Sequence, residues 1–474
     1  MKLINKIVFV GFYYLSLIAF IYVVVIGKYI WEGFVNWIWD QLKKEYVKFG
    51  FVLYIGIDVL VNFVPIILYR RKDTKTERVP IRNDIALIIP CHKAQDVILK
   101  TLEHAIQVFQ PKDIFVIDNG TSNDCTDNTK NICDDMQVNY AYIPVGSKTA
   151  AIYAGLKLTH QYKYVMQIDD DVYLDTDMSF PINDDTQIIA YTIGATTDEQ
   201  KFIQYFQDIE YKTSGIAKAY KSYLGSDMFS HGAISLWDRK IFINVLENHP
   251  MYKISDDWFN GYVSNQMGYK LSVCDRTFIQ TDVPKNYFFS SVDRTTGYGD
   301  VTLFSQRYSR WYRSKFLQLF YILYYIFFSW KQTFRVAIVQ KLFFLIDILR
   351  IIFNIAKFLL IIPYFYLNWK LSIIMLSVYL VYSIVLLITF NFWNLQKEER
   401  LPLYVFLVVP LYKIYDGFVL FVSYMSSILI YTPIIVITKK EKLSENKKLN
   451  DTIHNYMGSY NTVLTPLNNI VTID

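Results

Sequence analysis

The sequence predicts an α/β domain on a mostly parallel sheet, inserted between transmembrane helices. Three observations predict it. Both flanks of the 474-residue chain are strongly apolar, whereas residues from about 72 to 305 have ordinary globular composition. Within that stretch, buried-strand patterns alternate with helical ones, the order that builds parallel sheets. Finally, the apolar run Tyr164 to Ile168 stops abruptly at three carboxylates, Asp169, Asp170 and Asp171. Ligands of parallel sheets gather beyond such carboxyl ends. The expected organisation is a membrane region with two transmembrane helices over 1–71, the α/β domain over 72–305, interfacial and C-terminal transmembrane helices over 306–438, and a polar cytosolic tail over 439–474.

Ile7 to Gly27 is a near-continuous apolar run, long enough to cross a hydrocarbon core of roughly 30 Å. It is too long for a signal peptide and lacks a small-residue cleavage site. Residues 30 to 48 mix Trp31, Trp37 and Trp39 with charge, as expected near a headgroup layer. Phe49 to Tyr69 makes a second span, interrupted by Asp58 and Asn62. An acid there is either functional or involved in helix packing, and packing is the favoured reading of Asp58. Arg70, Arg71, Lys72, Lys75 and Arg78 follow directly, so the positive-inside rule places the N-terminus and the central domain in the cytosol.

The central domain opens on a buried strand, Ile85 to Pro90, then an amphipathic segment from Val97 to Phe109. A second strand, Ile114 to Asp118, closes at Asn119-Gly120, and Tyr140 to Val145 is a third. After a helix-like stretch from Thr149 to Thr159 comes the strand that enters the acidic triplet. Pro90, Asp118 and Asp169 thus fall at strand ends. Strand alternation would put Asp169 and Asp171 on one face. Two carboxylates about 4 Å apart at an effective dielectric near 20 repel by roughly 4 kcal/mol. One of them therefore takes a proton, or a cation sits between them. Oxygen-rich sites of this kind suit Mg²⁺ or Mn²⁺, which complete their shells with substrate phosphates. A lone acidic triplet is equally an ordinary turn; several polar loops on one sheet edge make a site.

Further polar signals lie in loops. Ser230 to Arg239 sets a small-residue turn before an apolar stretch, and Ile254 to Phe259 sets Asp256 and Asp257 against an aromatic pair. Ser290 to Asp300 reads as a flexible loop. Arg307 to about Trp330 reads as one aromatic, basic-flanked helix in the membrane surface. Spans are expected at roughly 344–366 and 371–393, split by Asn368, Trp369 and Lys370. The first carries Asp347, Arg350 and Lys357. Leu403 to Ile437 is a third apolar block, broken by Pro410, Lys413 and Asp416, and is read as one span with an interfacial helix. Lys439 to Lys448 reads as a cytosolic end, and the last 25 residues as unstructured. A net charge of +5 without a Lys/Arg block interleaved with aromatics argues against a nucleic-acid partner. Cys91, Cys125, Cys133 and Cys274 show no metal-ligand spacing and are read as free thiols.

In this order the motifs resemble those of processive membrane polysaccharide synthases of glycosyltransferase family 2, the group of hyaluronan, chitin and cellulose synthases. They are most similar to the shorter fungal capsule-type synthases, over roughly residues 84 to 330. The resemblance implies a GT-A-type domain with a Rossmann-like sheet, a UDP-sugar donor, Mg²⁺ or Mn²⁺, and a growing polysaccharide or lipid acceptor beside the bilayer. Pro90 and His92 match the first nucleotide loop, with His92 against uracil. Asp118 matches the acid that binds base or ribose, and Lys148 the basic residue that steadies the nucleotide. Asp169 and Asp171 match the DxD pair, the second ligating the metal and the first supporting nucleotide and metal. His231, Gly232 and Ala233 resemble the loop lining the acceptor sugar, and Asp257 matches the general base. Arg307, Arg310 and Trp311 resemble the (Q/R)xxRW motif, in which Arg310 contacts diphosphate and Trp311 floors the acceptor site. Trp258 offers a second flat face for a sugar ring.

The sequence departs from that pattern in three places. Arg307 stands where Gln is commoner, no gating-loop signature is recognisable near Met425 to Thr432, and the C-terminal spans are fewer. The expected function is an inverting, processive transferase that polymerises a β-linked polysaccharide and translocates it; the alternative is a non-processive enzyme adding one sugar to a lipid carrier. Singly, each residue has an ordinary reading. Asp118 suits a turn, Lys148 a solvated surface, and His92 and His231 a core or surface position. Arg307 and Arg310 could snorkel to headgroups, the tryptophans could anchor at the interface, and Asp256 and Asp257 could cap a helix.

Overall fold

Strand β1 (Ile85–Cys91) is buried at every residue, as a central parallel strand covered on both faces must be. Around it the computed structural model describes residues 3–22, 36–37, 40, 43–71, 79–120, 127–251, 255–289, 301–432 and 442–460. Cys125, Trp31, Trp39, the basic residues Lys72, Lys75 and Arg78, and the loop from Ser290 to Asp300 lie outside the described residues. The chain divides into two units, one comprising Arg71–Thr302, Ser329–Gln340 and Lys440–Asp474, the other the remaining segments.

In the first unit the chain order is β1, α1 (Ile98–Ala105), β2 (Ile114–Asp118), α2 (Thr129–Asp135), β3 (Asn139–Tyr142), α3 (Lys148–Leu158), β4 (Tyr164–Ile168), β5 (Val172–Tyr173), β6 (Ile188–Ala195), α4 (Phe202–Leu224), β7 (Ile234–Asp238), α5 (Arg239–Glu247), α6 (Asp256–Met267) and β8 (Leu271–Thr281). The eight strands line up as β3-β2-β1-β4-β7-β6-β8-β5. β1 pairs in parallel with β2 and β4, and β6 with β8, whereas β7 runs antiparallel to both β4 and β6. The expectation of a mostly parallel sheet therefore holds, with β7 and β5 as reversed strands. After β3 the chain returns to the opposite side of β1, so the order switches between β1 and β4. Pairing of β1 with β4 stops at Ile88, while pairing with β2 continues to Cys91. Pro90, which has no N–H for a ladder, sits where β1 has one neighbour only. Such a switch point is where α/β sheets bind ligands.

Reversal of β7 has a positional consequence. Ile234, its first residue, pairs with Ile168, the last of β4. Residues 230–233 therefore arrive at the same sheet edge as the acidic triplet. Helix α6 reaches that edge by close packing: a Cβ on Gly261 would sit 2.3 Å from the Met228 carbonyl oxygen. Overpacking of this kind costs about 1–3 kcal/mol. Gly261→Ala is expected to lower the unfolding midpoint measurably and to displace α6; an unchanged melting temperature would contradict the packing.

Residues 450–460 correct the expectation that the last 25 residues are unstructured; 461–474 lie outside the described residues. Leu443–Glu445 forms a 3₁₀ turn and Lys447–Tyr460 a helix. Leu443 and Ile453 are buried, and this tail packs on α5 and α3. Two apolar anchors among polar neighbours are too few to show a helical stripe in sequence.

The second unit is helical. Leu3–Ile21 is a helix, and Tyr46 to Leu68 is a helical run in which α and π turns alternate. Tyr46 stacks on Tyr364 with ring centroids 4.0 Å apart and donates its hydroxyl to the Tyr364 carbonyl at 2.6 Å. Asp58 accepts from the Asn62 amide at 2.6 Å. The expected single helix from Arg307 to Trp330 is in fact two: a π turn, Gln306–Trp311, and a helix, Lys315–Phe328. Helix Phe334–Leu367 is followed by Trp369–Trp393, separated by Asn368, whose side chain caps the second by accepting from Leu371 N–H at 3.1 Å. Among the described residues, Trp369–Trp393 and Val409–Tyr431 are long and apolar enough to cross a membrane.

Candidate active site

At the carboxyl end of β2, Asp118 is almost fully buried. The Tyr140 hydroxyl donates to one of its oxygens at 3.0 Å and Gly120 N–H to the other at 3.3 Å. Burial pushes its carboxyl above the usual carboxylate range, opposed by these two hydrogen bonds. His92 Nδ1 lies 3.9 Å from the same carboxylate and has no hydrogen-bond partner among the described residues. A Cβ on Gly120 would meet the Tyr142 ring at 3.2 Å and His92 Nδ1 at 3.3 Å. Pro90 and His92 of the first loop, Asp118, Gly120 and the two tyrosines of β3 therefore form one corner. Its flat rings and unsatisfied imidazole nitrogen suit a planar, hydrogen-bonding ligand.

Lys148 opens α3 and forms an ion pair with Asp169, just past β4; its Nζ is also 3.3 Å from the Gly232 carbonyl oxygen. Gln167, a buried amide within β4, donates to that same carbonyl at 2.8 Å. Asp169 N–H donates to the Ala233 carbonyl at 2.9 Å. Gly232 N–H in turn donates to one Asp257 oxygen at 3.2 Å. A Cβ on Gly232 would come within 3.0 Å of that oxygen, so the close approach is a glycine's. His231 takes a left-handed φ of 60°. Its imidazole is driven well below its ordinary pKa by burial, then by Lys218 and Lys148, and stays neutral.

Asp257 lies in the first turn of α6, after Ser255 with a left-handed φ of 62°. Its second oxygen accepts from Trp258 N–H at 2.8 Å, and its carbonyl accepts from the Ser230 hydroxyl at 2.9 Å. Burial first, and Asp256 second, push its carboxyl up to about 6. A carboxyl so tuned is ionised at neutral pH yet basic enough to take a proton.

The acidic triplet departs from its expected geometry. β4 ends at Ile168, and residues 169–171 form a turn in which Val172 N–H donates to the Asp169 carbonyl at 3.3 Å. Strand alternation does not run through a turn. Asp169 is held by α3 through Lys148, whereas Asp171 is held from β8: it accepts from the Thr281 hydroxyl at 3.3 Å, and its carbonyl accepts from Asp282 N–H at 3.0 Å. Burial and then Asp169 raise Asp170 to about 7. Asp171 is pushed well up by burial, Asp170, Asp169 and Asp282, with Lys148 as the opposing cation. Carboxylates so crowded fit a divalent cation. Among the described residues no three His, Cys, Asp or Glu side chains converge as a complete cage. Mg²⁺ is usually held by one or two carboxylates and completed by substrate phosphates. Asp171 and Asp169 are the residues that would hold it.

Other sequence-derived residues fall elsewhere. The Trp258 ring is buried and stacked on Tyr262, with centroids 5.2 Å apart, so it packs α6 rather than presenting a face to a sugar. Arg310 and Trp311 belong to the helical unit. There Arg307 is fully buried with its guanidinium 3.7 Å over the Trp311 ring. The sequence reading missed Gln167, Tyr140, Thr281 and Asp282. Asp282 accepts from the Tyr173 hydroxyl at 2.7 Å and from Thr196 at 2.9 Å. It directly follows β8, whose mixed polar and apolar residues give no strand signal in the sequence that could have found it.

Residues 82–300 match the family model described as glycosyltransferase like family 2. No curated protein matches the sequence. Among solved structures, a mannosyltransferase from Pyrobaculum calidifontis in complex with GDP-mannose and Mn²⁺ is 13% identical, covering 82% of this chain and 99% of its own, with a TM-score of 0.40. TarS of S. aureus is 12% identical over 42% of this chain and 37% of its own, with a TM-score of 0.29. Glucosyl-3-phosphoglycerate synthase from Mycobacterium tuberculosis, in complex with Mn²⁺, UDP and glucosyl-3-phosphoglycerate, is 12% identical over 44% of this chain and 73% of its own, with a TM-score of 0.28. Within residues 82–300, Lys148, Asp169 and Asp257 are linked through Gly232.

Proposed function

We propose that the chain is an inverting, processive glycosyltransferase that builds a β-linked polysaccharide from a UDP-sugar and passes it across a membrane. The observation that carries the transfer step is the Gly232 link: its N–H is bonded to Asp257 and its carbonyl to Lys148, which pairs with Asp169. Donor-side and acceptor-side groups share one backbone unit. His92, Asp118 and Pro90 hold the uracil and ribose. Lys148 and Asp169 steady the diphosphate. His231, Gly232 and Ala233 line the acceptor. Asp171, with Asp169, holds Mg²⁺ or Mn²⁺, and such an ion supplies Lewis acidity toward the leaving diphosphate.

Transfer proceeds as one displacement. An acceptor hydroxyl oxygen forms a bond to the anomeric carbon as the bond from that carbon to the diphosphate oxygen breaks. The hydroxyl proton passes to the Asp257 carboxylate, and the diphosphate leaves with the bonding pair, its charge met by Lys148. Attack from the opposite face turns an α-linked donor into a β-linkage. Because Asp257 must be ionised to accept the proton and its carboxyl titrates near 6, turnover is expected to rise with pH through about 6 and to level off above. A profile flat down to pH 5 would contradict the assignment.

The membrane part of the proposal is supported by the two long apolar helices, and its cytosolic orientation by the basic residues Arg70 and Arg71 that follow the Phe49–Tyr69 segment. Purified protein in detergent with Mn²⁺ and a panel of UDP-sugars tests the product. Long polymer is expected. A lipid-linked monosaccharide would instead establish the non-processive alternative.

A further inference from the structure

His249 has no exposed surface and is used by none of the roles above. It lies between α5 and α6, and both ring nitrogens are engaged. Met251 N–H donates to Nδ1 at 2.9 Å, which makes Nδ1 an acceptor and puts the ring proton on Nε2. Nε2–H then donates to the Asp256 carbonyl oxygen at 3.2 Å. The ring also stands edge-on to Phe259 in the first turns of α6, with centroids 5.9 Å apart. One neutral imidazole thus ties the end of α5 to the residue preceding Asp257.

This tie has a mechanical purpose. Ser255 enters α6 with a positive φ, a conformation disfavoured for a side chain with a Cβ and kept only where neighbours over-determine it. The α5 side of the tie is itself anchored. Glu247 accepts from the Tyr153 hydroxyl of α3 at 3.0 Å, and its carbonyl accepts from Ser444 of the tail at 3.0 Å. Lys442 donates to the Asn248 side chain at 3.2 Å. His249 therefore transmits a rigid support to the turn that carries the acid pair.

We propose that His249 is a positioning residue: it fixes the Asp256 carbonyl and so sets the Asp257 carboxylate against Gly232. The inference rests on the reading of Asp257 as the base. His249→Leu removes both hydrogen bonds, whereas His249→Gln restores an acceptor for Met251 N–H and a donor for the Asp256 carbonyl. A misplaced catalytic group costs on the order of 10²-fold. His249→Leu is therefore expected to lower kcat by about that factor with KM for the UDP-sugar unchanged, and His249→Gln to recover most of it. Hydrogen exchange, read alongside, is expected to quicken at the amides of Trp258 and Gly232 in the Leu variant and to return toward wild type in the Gln variant. Equal losses in the two variants, a loss seen only in KM, or unaltered exchange at both amides would overturn the proposal. Asp257→Asn run in the same series keeps the two ideas apart. If it turns over normally, the base assignment fails, while the exchange data still decide whether His249 holds the turn.

Discussion

Asp257→Asn is expected to reduce sugar transfer by about 10²–10⁴-fold, the usual contribution of a positioned general base, while leaving UDP affinity near that of the wild type. The substitution keeps size, and its single amide oxygen can still accept from one of the two N–H groups, Gly232 or Trp258, that bond the two carboxylate oxygens. It removes the negative charge that draws the acceptor's proton. The groups proposed to hold the nucleotide, Asp118 and His92, lie at the ends of β2 and β1. A loss in kcat without a change in UDP binding, measured by calorimetry, is the expected signature. Loss of UDP binding as well would mean that Asp257 supports the donor rather than the acceptor.

Removal of the divalent cation is expected to have an effect of similar size. Asp171 is surrounded by Asp169, Asp170 and Asp282, with Lys148 as the opposing cation named above. The repulsion by which these acids raise the Asp171 carboxyl is one that a divalent ion would offset. Chelation with EDTA should abolish turnover, and Mn²⁺ or Mg²⁺ should restore it. Asp171→Asn should raise the Mn²⁺ concentration needed for half-maximal rate by more than tenfold, on the order of 1.4 kcal/mol of ion affinity or more. Because the same substitution also relieves carboxylate repulsion, the Asn variant is expected to be at least as thermally stable as wild type without added metal. Full activity in EDTA would contradict the metal assignment.

Legibility followed burial. β1, β2 and β4 were readable because each is a largely apolar run, and their carboxyl ends are where Pro90, Asp118 and Asp169 stand. The far half of the sheet was not. β8 carries buried and half-buried residues without clean alternation. The long α4 buries Gln204, Gln207, Asp208 and Lys212 alongside its apolar residues, which obscures its core-facing stripe. Its Lys212–Asp208 pair, 2.7 Å apart and nearly unexposed, satisfies itself in place, which sequence cannot announce. The triplet was found as a cluster of acids, but its geometry was misjudged because a turn follows Ile168. Trp258 was read as a sugar platform, whereas Tyr262 one helical turn later covers it. Gly232 was chosen as part of a small-residue loop. Its role as the link between Lys148 and Asp257 exists only once β7 runs antiparallel to β4.

The most direct measurement is UDP release by the purified protein across a panel of UDP-sugars with Mn²⁺ present. Release from at least one donor, acceptor-dependent and lost in Asp257→Asn, is the predicted result. No release from any donor by folded, Mn²⁺-supplied protein would contradict the central claim that Asp169, Asp171, Lys148 and Asp257 together transfer a sugar from a nucleotide.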